Sequence, residues 1–286
     1  MSNNLVKIGQ GTYGKVYKSK DPQTNEMQAI KKVRIDNITE GIPCTVLREI
    51  SLLKYLNHKN IIKIRDVKIR SNEIDIVLDY CKYDLKRYMK EKNMRLSTLE
   101  ILSFSYQLIQ AVDYIHSKNI IHRDIKPQNL LITEYKCLKL CDFGLARIMD
   151  VPDISLSLDV VTQWYRAPEI LMKSENYGLE SDMWSVGCVI FEMITGFPLF
   201  PFNNDRDQLH EMFRIFGTPT EEYWIGVHSL KGFPKKMKKM VGKGIKPLLY
   251  DCDTELCKLV ENLMELNPSK RITAKQALKH SAFKTS

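Results

Sequence analysis

The sequence concentrates residues suited to proton transfer and cation binding in one stretch, between positions 122 and 169. Asp124, Lys126 and Asn129 stand close together, and a second aspartate, Asp142, directly precedes Phe-Gly. Carboxylates can accept protons, and carboxylate and amide oxygens suit a hard divalent cation. The stretch closes with Ala-Pro-Glu at residues 167–169, so three short signatures follow one another in a defined order.

The three signatures, His-Arg-Asp-Ile-Lys-Pro-Gln-Asn, Asp-Phe-Gly and Ala-Pro-Glu, resemble the catalytic centre of protein kinases. The resemblance implies that Asp124 is the base for the substrate hydroxyl proton. It implies that Lys126 is the lysine that serine/threonine kinases hold against the γ-phosphate. Asn129 and Asp142 match the residues that bind Mg²⁺, so ATP and Mg²⁺ are the implied cofactors.

Three glycines, Gly9, Gly11 and Gly14, separate two runs that alternate apolar and polar residues, which predicts two strands. A dinucleotide-binding fold would require a helix directly after the glycines, whereas a strand-like run follows here. We therefore predict a hairpin with a glycine-rich tip, whose backbone N–H groups can approach ATP phosphates.

Lys31 ends a third strand-like run, and Glu49 lies in a helical pattern that begins after Pro43. The resemblance to kinases implies that Lys31 contacts the α- and β-phosphates and that an ion pair with Glu49 holds it there. This pair would form when the helix is rotated inward, so the helix position is predicted to act as a switch.

Residues 41–49, Gly-Ile-Pro-Cys-Thr-Val-Leu-Arg-Glu, are similar to the PSTAIRE helix of the cyclin-dependent kinases. The sequence departs from that motif at Cys44, Val46 and Leu47. The resemblance extends over nearly the whole chain, and it implies that an apolar face of this helix meets a cyclin regulatory subunit.

The same resemblance identifies residues around the nucleotide. Backbone groups of Asp79 and Cys81 in the connector between the lobes would bond the adenine edge, and Leu78 would close the rear of the pocket. The other nucleotide-site residues that it implies are Ile8, Gly9, Gly11, Gly14, Val16, Ala29, Lys31, Asp84, Lys126, Asn129, Leu131 and Asp142.

Ser157 matches the activating phosphosite of the family, where most members carry Thr. A phosphoserine adds about two negative charges, and Arg48, Arg123 and Arg147 would bind it through bidentate contacts. The alternative is that Ser157 is merely an exposed serine. The residues that match inhibitory phosphosites, where phosphates would repel those of ATP, are Thr12 and Tyr13.

Val161, Thr162 and Arg166 resemble the substrate platform of the family, with Gln163 in place of the commoner Leu. In the family this arginine turns the Val161 carbonyl away, which leaves the next substrate amide unpaired, and proline has no such N–H. A preference for Ser/Thr-Pro sites follows, with a basic residue further along. The residues that match structural positions of the family are Glu169, Asp182 and Arg271.

The composition, 44% hydrophobic and 27% charged over 286 residues, is that of an ordinary globular protein. Seven cysteines without a CxxC pair predict buried free thiols in a reducing compartment. The amino terminus lacks a basic region followed by an apolar block, and the most apolar stretch, around 184–194, is short and interrupted. We expect no signal peptide, no membrane segment, and a location in the nucleus and/or cytoplasm.

The formal net charge is +9, with a local run of lysines at 235–239. This run is interpreted as a solvated loop, with a docking site for an acidic or phosphorylated partner as the alternative. Direct nucleic-acid binding is disfavoured because no recognised binding module accompanies the charge.

These observations predict an α+β, two-lobed protein-kinase fold in a single domain over residues 1–286. The predicted amino-terminal lobe (about 1–78) is a small, mostly antiparallel sheet with one regulatory helix, the connector spans about 79–84, and the carboxy-terminal lobe (about 85–286) is larger and mainly helical. The predicted activity is that of a cyclin-dependent kinase in cell-cycle or transcription control, acting on protein substrates with Ser/Thr-Pro sites. Two alternatives are a proline-directed kinase that needs no cyclin and a catalytically silent scaffold.

Overall fold

A computed structural model of the protein describes residues 5–11, 14–35, 42–149, 163–250 and 252–284. The amino-terminal part forms a five-stranded antiparallel sheet and one helix. In chain order these elements are β1 Val6–Gly11, β2 Gly14–Lys20, β3 Met27–Arg34, α1 Cys44–Tyr55, β4 Ile64–Ile69 and β5 Glu73–Asp79. The strands lie in the order β1-β2-β3-β5-β4, so β3 occupies the centre of the sheet.

The helix α1 follows Pro43, which occupies its N-cap, and ends at Leu56, whose backbone is extended. Val46 on its inner side packs in a small buried cluster with Val33, Ile74 and Ile76 of the sheet. This cluster is much smaller than the core of the carboxy-terminal part. The first turns of the helix are therefore held to the sheet by a limited apolar contact, whereas Leu52 and Leu53 near its end belong to the larger core.

The carboxy-terminal part is larger and mainly helical. Its elements are β6 Tyr83–Asp84, α2 Leu85–Glu91, α3 Thr98–His116, β7 Ile120–Ile121, β8 Leu130–Ile132, β9 Leu138–Leu140, β10 Arg147–Ile148, α4 Pro168–Leu171, α5 Glu180–Thr195, α6 Asp205–Phe216, α7 Thr254–Leu263 and α8 Ala274–Ala277. The two short sheets, β6-β8-β9 and β10-β7, flank the segments that carry the candidate catalytic residues.

Two long helices form the centre of this part. A capping box begins α3, in which Ser97 and Glu100 satisfy each other's backbone N–H groups. Nearly every residue of α5 is buried, and the helix ends at Gly196 with φ of 82°, where a Cβ would lie 2.8 Å from the Met94 carbonyl. The predicted α+β architecture, with an antiparallel sheet, one helix and a larger helical part, is confirmed.

All seven cysteines are free, but the prediction that they are buried is wrong for most of them. Cys188 and Cys257 are buried, whereas Cys44 is exposed because it begins α1 on the solvent side. No helix in the described ranges combines the length and the hydropathy needed to cross a membrane.

Candidate active site

Lys31 of β3 and Glu49 of α1 form an ion pair between the sheet and the helix. The Lys31 Nζ lies 2.8 Å from Glu49 Oε1 and 2.7 Å from Oε2, so both carboxylate oxygens accept from one ammonium. The side chain of Glu49 is 6% exposed and that of Lys31 is 15% exposed. The structure thus brings together the two residues that sequence predicted as the phosphate lysine and its partner.

The electrostatics of this pair depend on burial and on a third charge. Burial opposes the charge on Lys31, but the Glu49 and Asp142 carboxylates outweigh it and raise the pKa of Lys31. Burial raises the pKa of Glu49, and Lys31 offsets part of that effect. A raised pKa favours the charged form of Lys31 but the neutral form of Glu49. The pair is charged at neutral pH because both Glu49 oxygens accept from Lys31 Nζ at close distance.

The Asp-Phe-Gly signature packs against the beginning of α1. Phe143 is fully buried, and its ring centroid lies 4.8 Å from that of His122. Arg48 Nη1 donates to the Gly144 carbonyl at 3.1 Å, which ties α1 to this signature. Asp142 adopts a left-handed backbone with φ of 64°, a conformation uncommon outside glycine and often found at functional sites.

Asp124, Lys126 and Asn129 form a second charged cluster. Lys126 Nζ lies 2.9 Å from Asp124 Oδ2. Asn129 Nδ2 donates to the backbone carbonyl and to Oδ2 of Asp124, both at 2.8 Å. Because the amide nitrogen of Asn129 makes both bonds, its Oδ1 is the atom that can serve as an oxygen ligand for a cation.

Burial raises the pKa of Asp124, and the Lys126 ammonium lowers it by a smaller amount. The Asp124 amide donates to His122 Nδ1 at 3.3 Å, while His122 Nε2 lies 3.0 Å from the Cys141 carbonyl. These two contacts require the proton of His122 on Nε2, a tautomer that we infer from the hydrogen bonds. His122 thereby links the Asp124 loop to the strand before Asp142.

Asp182 of α5 holds the backbone just before Asp124. Its two carboxylate oxygens accept from the backbone amides of His122 and Arg123 at 2.8 and 2.9 Å, and Oδ2 also lies 3.0 Å from His116 Nε2. Arg123 needs this support because its φ is 69°. Burial would raise the pKa of Asp182, but the contact with His116 and the hydrogen bond from the His122 amide hold that pKa below its usual value.

Four of the predicted nucleotide-site residues share one face of the sheet. Val16 lies opposite Lys31, and Ala29, two residues before Lys31, lies opposite Leu78. Directly paired residues and residues two apart in a strand point to the same face. Residues Val33, Ile74 and Ile76, against which α1 packs, occupy the same face further along, as the register shows.

The connector residues have separate structural partners. The Asp79 amide donates to the Lys63 carbonyl at 3.1 Å, and its carboxylate accepts from Arg65 Nε at 2.9 Å. Asp84 Oδ1 caps α2 by accepting from the Arg87 amide. Burial raises the pKa of the Cys81 thiol to about 12, so this thiol stays neutral. Of two further predicted residues, Leu131 pairs with Asp84, and Ile8 lies at the irregularity of β1.

The glycine-rich hairpin contains one glycine that the fold itself requires. A Cβ on Gly14 would lie 2.1 Å from the Lys32 carbonyl, so the close approach of β2 to β3 excludes a side chain there. A Cβ on Gly9 would meet Val16 at an ordinary 3.8 Å. Gly11 ends β1, opposite Gly14. The requirement for Gly14 therefore arises from sheet packing.

The predicted regulatory residues are only partly described. Arg48, Arg123 and Arg147 are all partly buried; Arg123 Nη1 donates to the Tyr177 hydroxyl at 3.1 Å, and Arg147 pairs with Ile121 in the β10-β7 sheet. The predicted phosphosites and platform residues outside the described ranges are Thr12, Tyr13, Ser157, Val161 and Thr162.

The described end of the predicted substrate platform, Gln163–Tyr165, is a short 3-10 turn closed by the bond from the Arg166 amide to the Gln163 carbonyl. The Tyr165 hydroxyl donates to Glu192 at 2.6 Å inside the carboxy-terminal core. Further bonds that fix this turn and Glu192 come from Lys86, Ser185 and Gln208. Sequence reasoning missed this network, although polar residues inside the apolar α5 were its signal.

Among the described residues, a cation at this site would have few protein ligands. Within the described ranges, no group of three or more His, Cys, Asp or Glu residues could hold a metal ion. Asn129 and Asp142 offer two oxygen-bearing side chains, which suits Mg²⁺ because that ion is usually held by one or two protein groups together with phosphates.

The whole chain can be compared with known protein families. A family model described as the protein kinase domain matches residues 2–283, which is nearly the whole chain.

Proposed function

We propose, because this chain belongs to the protein kinase family, that it transfers the γ-phosphoryl group of ATP to a serine or threonine hydroxyl that precedes proline. The observation that carries the proposal is the cluster of Asp124, Lys126 and Asn129, in which a buried carboxylate lies 2.9 Å from an ammonium. Lys126 supports serine/threonine specificity, since tyrosine kinases carry a different sequence at that position.

The residues of the chain divide the chemistry between them. Asp124 accepts the proton of the attacking hydroxyl, and its raised pKa makes it a better proton acceptor than an ordinary aspartate. Lys126 holds the γ-phosphate, and Lys31, kept in place by Glu49, holds the α- and β-phosphates. Asn129 Oδ1 and Asp142 would hold Mg²⁺, which neutralises charge on the phosphates when bound.

A cyclin subunit is the proposed activator. Two of the three departures from the PSTAIRE motif, Cys44 and Leu47, are exposed on α1, whereas Val46 is 1% exposed. Leu47 is 47% exposed, which supports a role in contact with a partner. The exposed departures would then select the cyclin, and the buried one would adjust packing on the sheet.

Phosphorylation is proposed as a second level of control. Phosphoserine at 157 would bind Arg48, Arg123 and Arg147, while phosphates on Thr12 or Tyr13 would oppose ATP binding. Arg48 already joins α1 to the Asp-Phe-Gly signature, so a phosphoserine bound to Arg48 would act on both elements. The proposed setting is cell-cycle or transcription control in the nucleus and/or cytoplasm.

A second candidate is a proline-directed kinase that needs no cyclin. The observation that favours it is the Lys31–Glu49 ion pair, since α1 already packs inward on the sheet through Val46. In this case α1 would remain inward, and the pair would stabilise the active arrangement permanently.

Phosphate transfer from labelled ATP to a Ser-Pro-X-Lys peptide tests the proposal. We expect transfer with a matching cyclin from a panel, and much less transfer to a Ser-Ala-X-Lys control peptide. Asp124→Asn should lower kcat by about 10²–10⁴-fold while ATP binding persists. Full activity of the isolated chain would favour the second candidate. ATP binding without transfer under any pairing would instead indicate a silent scaffold.

A further inference from the structure

The positive charge of the protein is concentrated in one segment that the catalytic site does not use. Residues 223–250 contain seven lysines and no aspartate or glutamate, so they account for seven of the nine net positive charges of the chain. We define the lysine surface as the six of these lysines that are exposed and unpaired within the described ranges. They are Lys235, Lys236, Lys238, Lys239, Lys243 and Lys246.

Neighbouring lysines outside this surface behave differently. Lys231, at the start of the same segment, forms an ion pair with Glu175, and Lys258 pairs with Glu255. In the part of the chain that the structure describes, the lysine surface has no acidic counterpart of this kind. Six like charges in one segment repel one another, and an acidic ligand would relieve that repulsion.

The lysine surface is held on a fixed frame, although it forms no strand and no helix longer than one turn. Met237 and Met240, which alternate with the lysine pairs, pack against the carboxy-terminal core. The Met240 amide donates to Thr218 Oγ1 and the Thr218 amide donates to the Met240 carbonyl, both at 3.0 Å. A Cβ on Gly242 would lie 2.2 Å from the Gly217 nitrogen, so this close contact requires glycine. The lysines are therefore displayed from anchored backbone.

The frame is joined to the substrate platform. The Gly232 amide donates to the Met172 carbonyl at 2.9 Å, and Met172 is the C-cap of α4, which begins two residues after Arg166. A Cβ on Gly232 would lie 2.7 Å from the Met172 Cα, so these two backbones are in direct contact. The lysine surface and the substrate platform therefore lie on the same, carboxy-terminal part of the molecule, where one bound protein could contact both.

We propose that the lysine surface is a docking site for an acidic segment, rich in aspartate or glutamate, of the protein substrates. This inference rests on the proposed function, because it assumes that substrates occupy the platform. Lysines act as point charges without the bidentate geometry of arginine, which suits carboxylates in varied positions. Binding of single-stranded nucleic acid stacks successive bases on exposed aromatic side chains, and in the described residues 223–250 Tyr250 is the one exposed aromatic ring. Tethering a substrate at a second point raises its effective concentration at the active site.

Peptides with different tails test the proposal. One peptide joins Ser-Pro-X-Lys through a flexible linker to a run of glutamates, and a matched peptide carries glutamines instead. With the active enzyme, the glutamate tail should lower KM about five- to tenfold, the combined size of a few exposed ion pairs, and leave kcat unchanged. The gain should fall at about 0.5 M salt because exposed charges are screened.

Two sets of substitutions make the test specific. Replacing Lys235, Lys236, Lys238 and Lys239 with Gln should abolish the decrease in KM that the glutamate tail gives, which is the gain referred to below. The KM of the glutamine-tailed peptide should not change. Replacing the same four with Glu should transfer the gain to a lysine-tailed peptide. The control removes the same charge from four exposed lysines elsewhere on the carboxy-terminal part and should keep the gain; these are Lys90, Lys275, Lys279 and Lys284.

The outcomes separate this inference from the proposed function. Equal KM values for the two tails, with both peptides phosphorylated, would overturn the docking site alone. If no peptide is phosphorylated, the proposed function fails, and fluorescence anisotropy of a labelled glutamate segment still tests docking. Loss of that binding in the four-lysine variant would support the site. Binding of single-stranded RNA or anionic vesicles in place of the glutamate segment would overturn it.

Discussion

Two buried ion pairs lie in the two parts of the molecule, and their surroundings differ. Glu169 and Arg271, 102 residues apart in sequence, meet through contacts of 2.8 and 3.0 Å, and their side chains are 1% and 0% exposed. Lys31 and Glu49 meet at similar distances but lie at the edge of a smaller core. Each pair joins two elements, yet the first is enclosed on every side.

The enclosed pair has many additional partners. Arg271 also donates to the carbonyls of Glu180, Glu265 and Leu266, and its guanidinium lies 5.4 Å from the ring centroid of Trp184. The Ser181 hydroxyl donates to Glu169. Breaking this pair would leave several buried groups unpaired at once, which makes it a permanent brace.

The Lys31–Glu49 pair has fewer additional hydrogen-bond partners. Its lysine bonds to Glu49 alone among the contacts described, and the beginning of the helix that carries Glu49 rests on a small apolar cluster, whereas Leu52 and Leu53 near its end lie in the larger core. Releasing the first turns of α1 would expose Lys31 and Glu49 to water and break the Arg48–Gly144 bond, while Leu52 and Leu53 could keep the end of the helix in the larger core. The comparison indicates that similar ion pairs can serve as a brace or as a switch, depending on what surrounds them.

Arg271→Ala should break the brace and give the largest loss of stability. Removing one partner of a buried pair leaves an uncompensated charge, here Glu169, and typically costs about 3–5 kcal/mol. Urea unfolding followed by tryptophan fluorescence, to which the fully buried Trp184 beside Arg271 contributes, measures the effect. Lys258→Gln, which breaks the exposed pair with Glu255, is the control and should cause no measurable change. A loss below about 1 kcal/mol in Arg271→Ala would contradict the brace.

Lys31→Met should break the switch with a large effect on activity. We expect kcat/KM to fall about 10²–10³-fold, the usual size for removal of a preorganised electrostatic group, while stability falls less than in Arg271→Ala. The control is Lys32→Met on the opposite face of β3, where Lys32 pairs with Glu73 and Asp75. Peptide phosphorylation and urea unfolding of both variants measure the two effects. If Lys31→Met destabilised the protein as much as Arg271→Ala, the two pairs would not differ in kind.

The sequence was sufficient for those features that depend on local pattern. Period-two alternation predicted the strands around the glycines, and helical spacing after Pro43 predicted α1, because both patterns reflect burial of one face. The network of Tyr165 and Glu192 was not predicted. A glutamate inside the apolar α5 signals a buried partner, but the sequence does not identify a partner 27 residues away.

Asp84 illustrates another limit of sequence reasoning. The resemblance grouped it with the nucleotide site, and the structure shows that one of its oxygens caps α2. The Gly14 requirement is similar, since contact with the Lys32 carbonyl gives a reason from packing where the sequence suggested phosphate binding. A residue type that suits two roles can be assigned only when its neighbours are known.

Asp182→Asn should have the smallest effect, and its pH dependence identifies the charge as the cause. Asp182 accepts from the amides of His122 and Arg123, and hydrogen bonds to a charged group contribute about 1.5–3 kcal/mol each, of which asparagine keeps a part. We therefore expect a loss of about 1.5–3 kcal/mol at neutral pH, measured by urea unfolding.

The pKa of Asp182 is lowered in the folded state, so the unfolded chain takes up a proton first as the pH falls below the ordinary value of 3.8. The stability that the charge provides is thus present above 3.8 and is lost as the pH falls through the lowered pKa. The difference between wild type and Asp182→Asn should shrink correspondingly between about pH 7 and about pH 3. Glu175→Gln, which removes an exposed carboxylate paired with Lys231, should show no measurable difference at either pH. A difference that stays constant over this range would assign the role of Asp182 to shape and not to charge, and would separate it from the charged brace of Glu169 and Arg271.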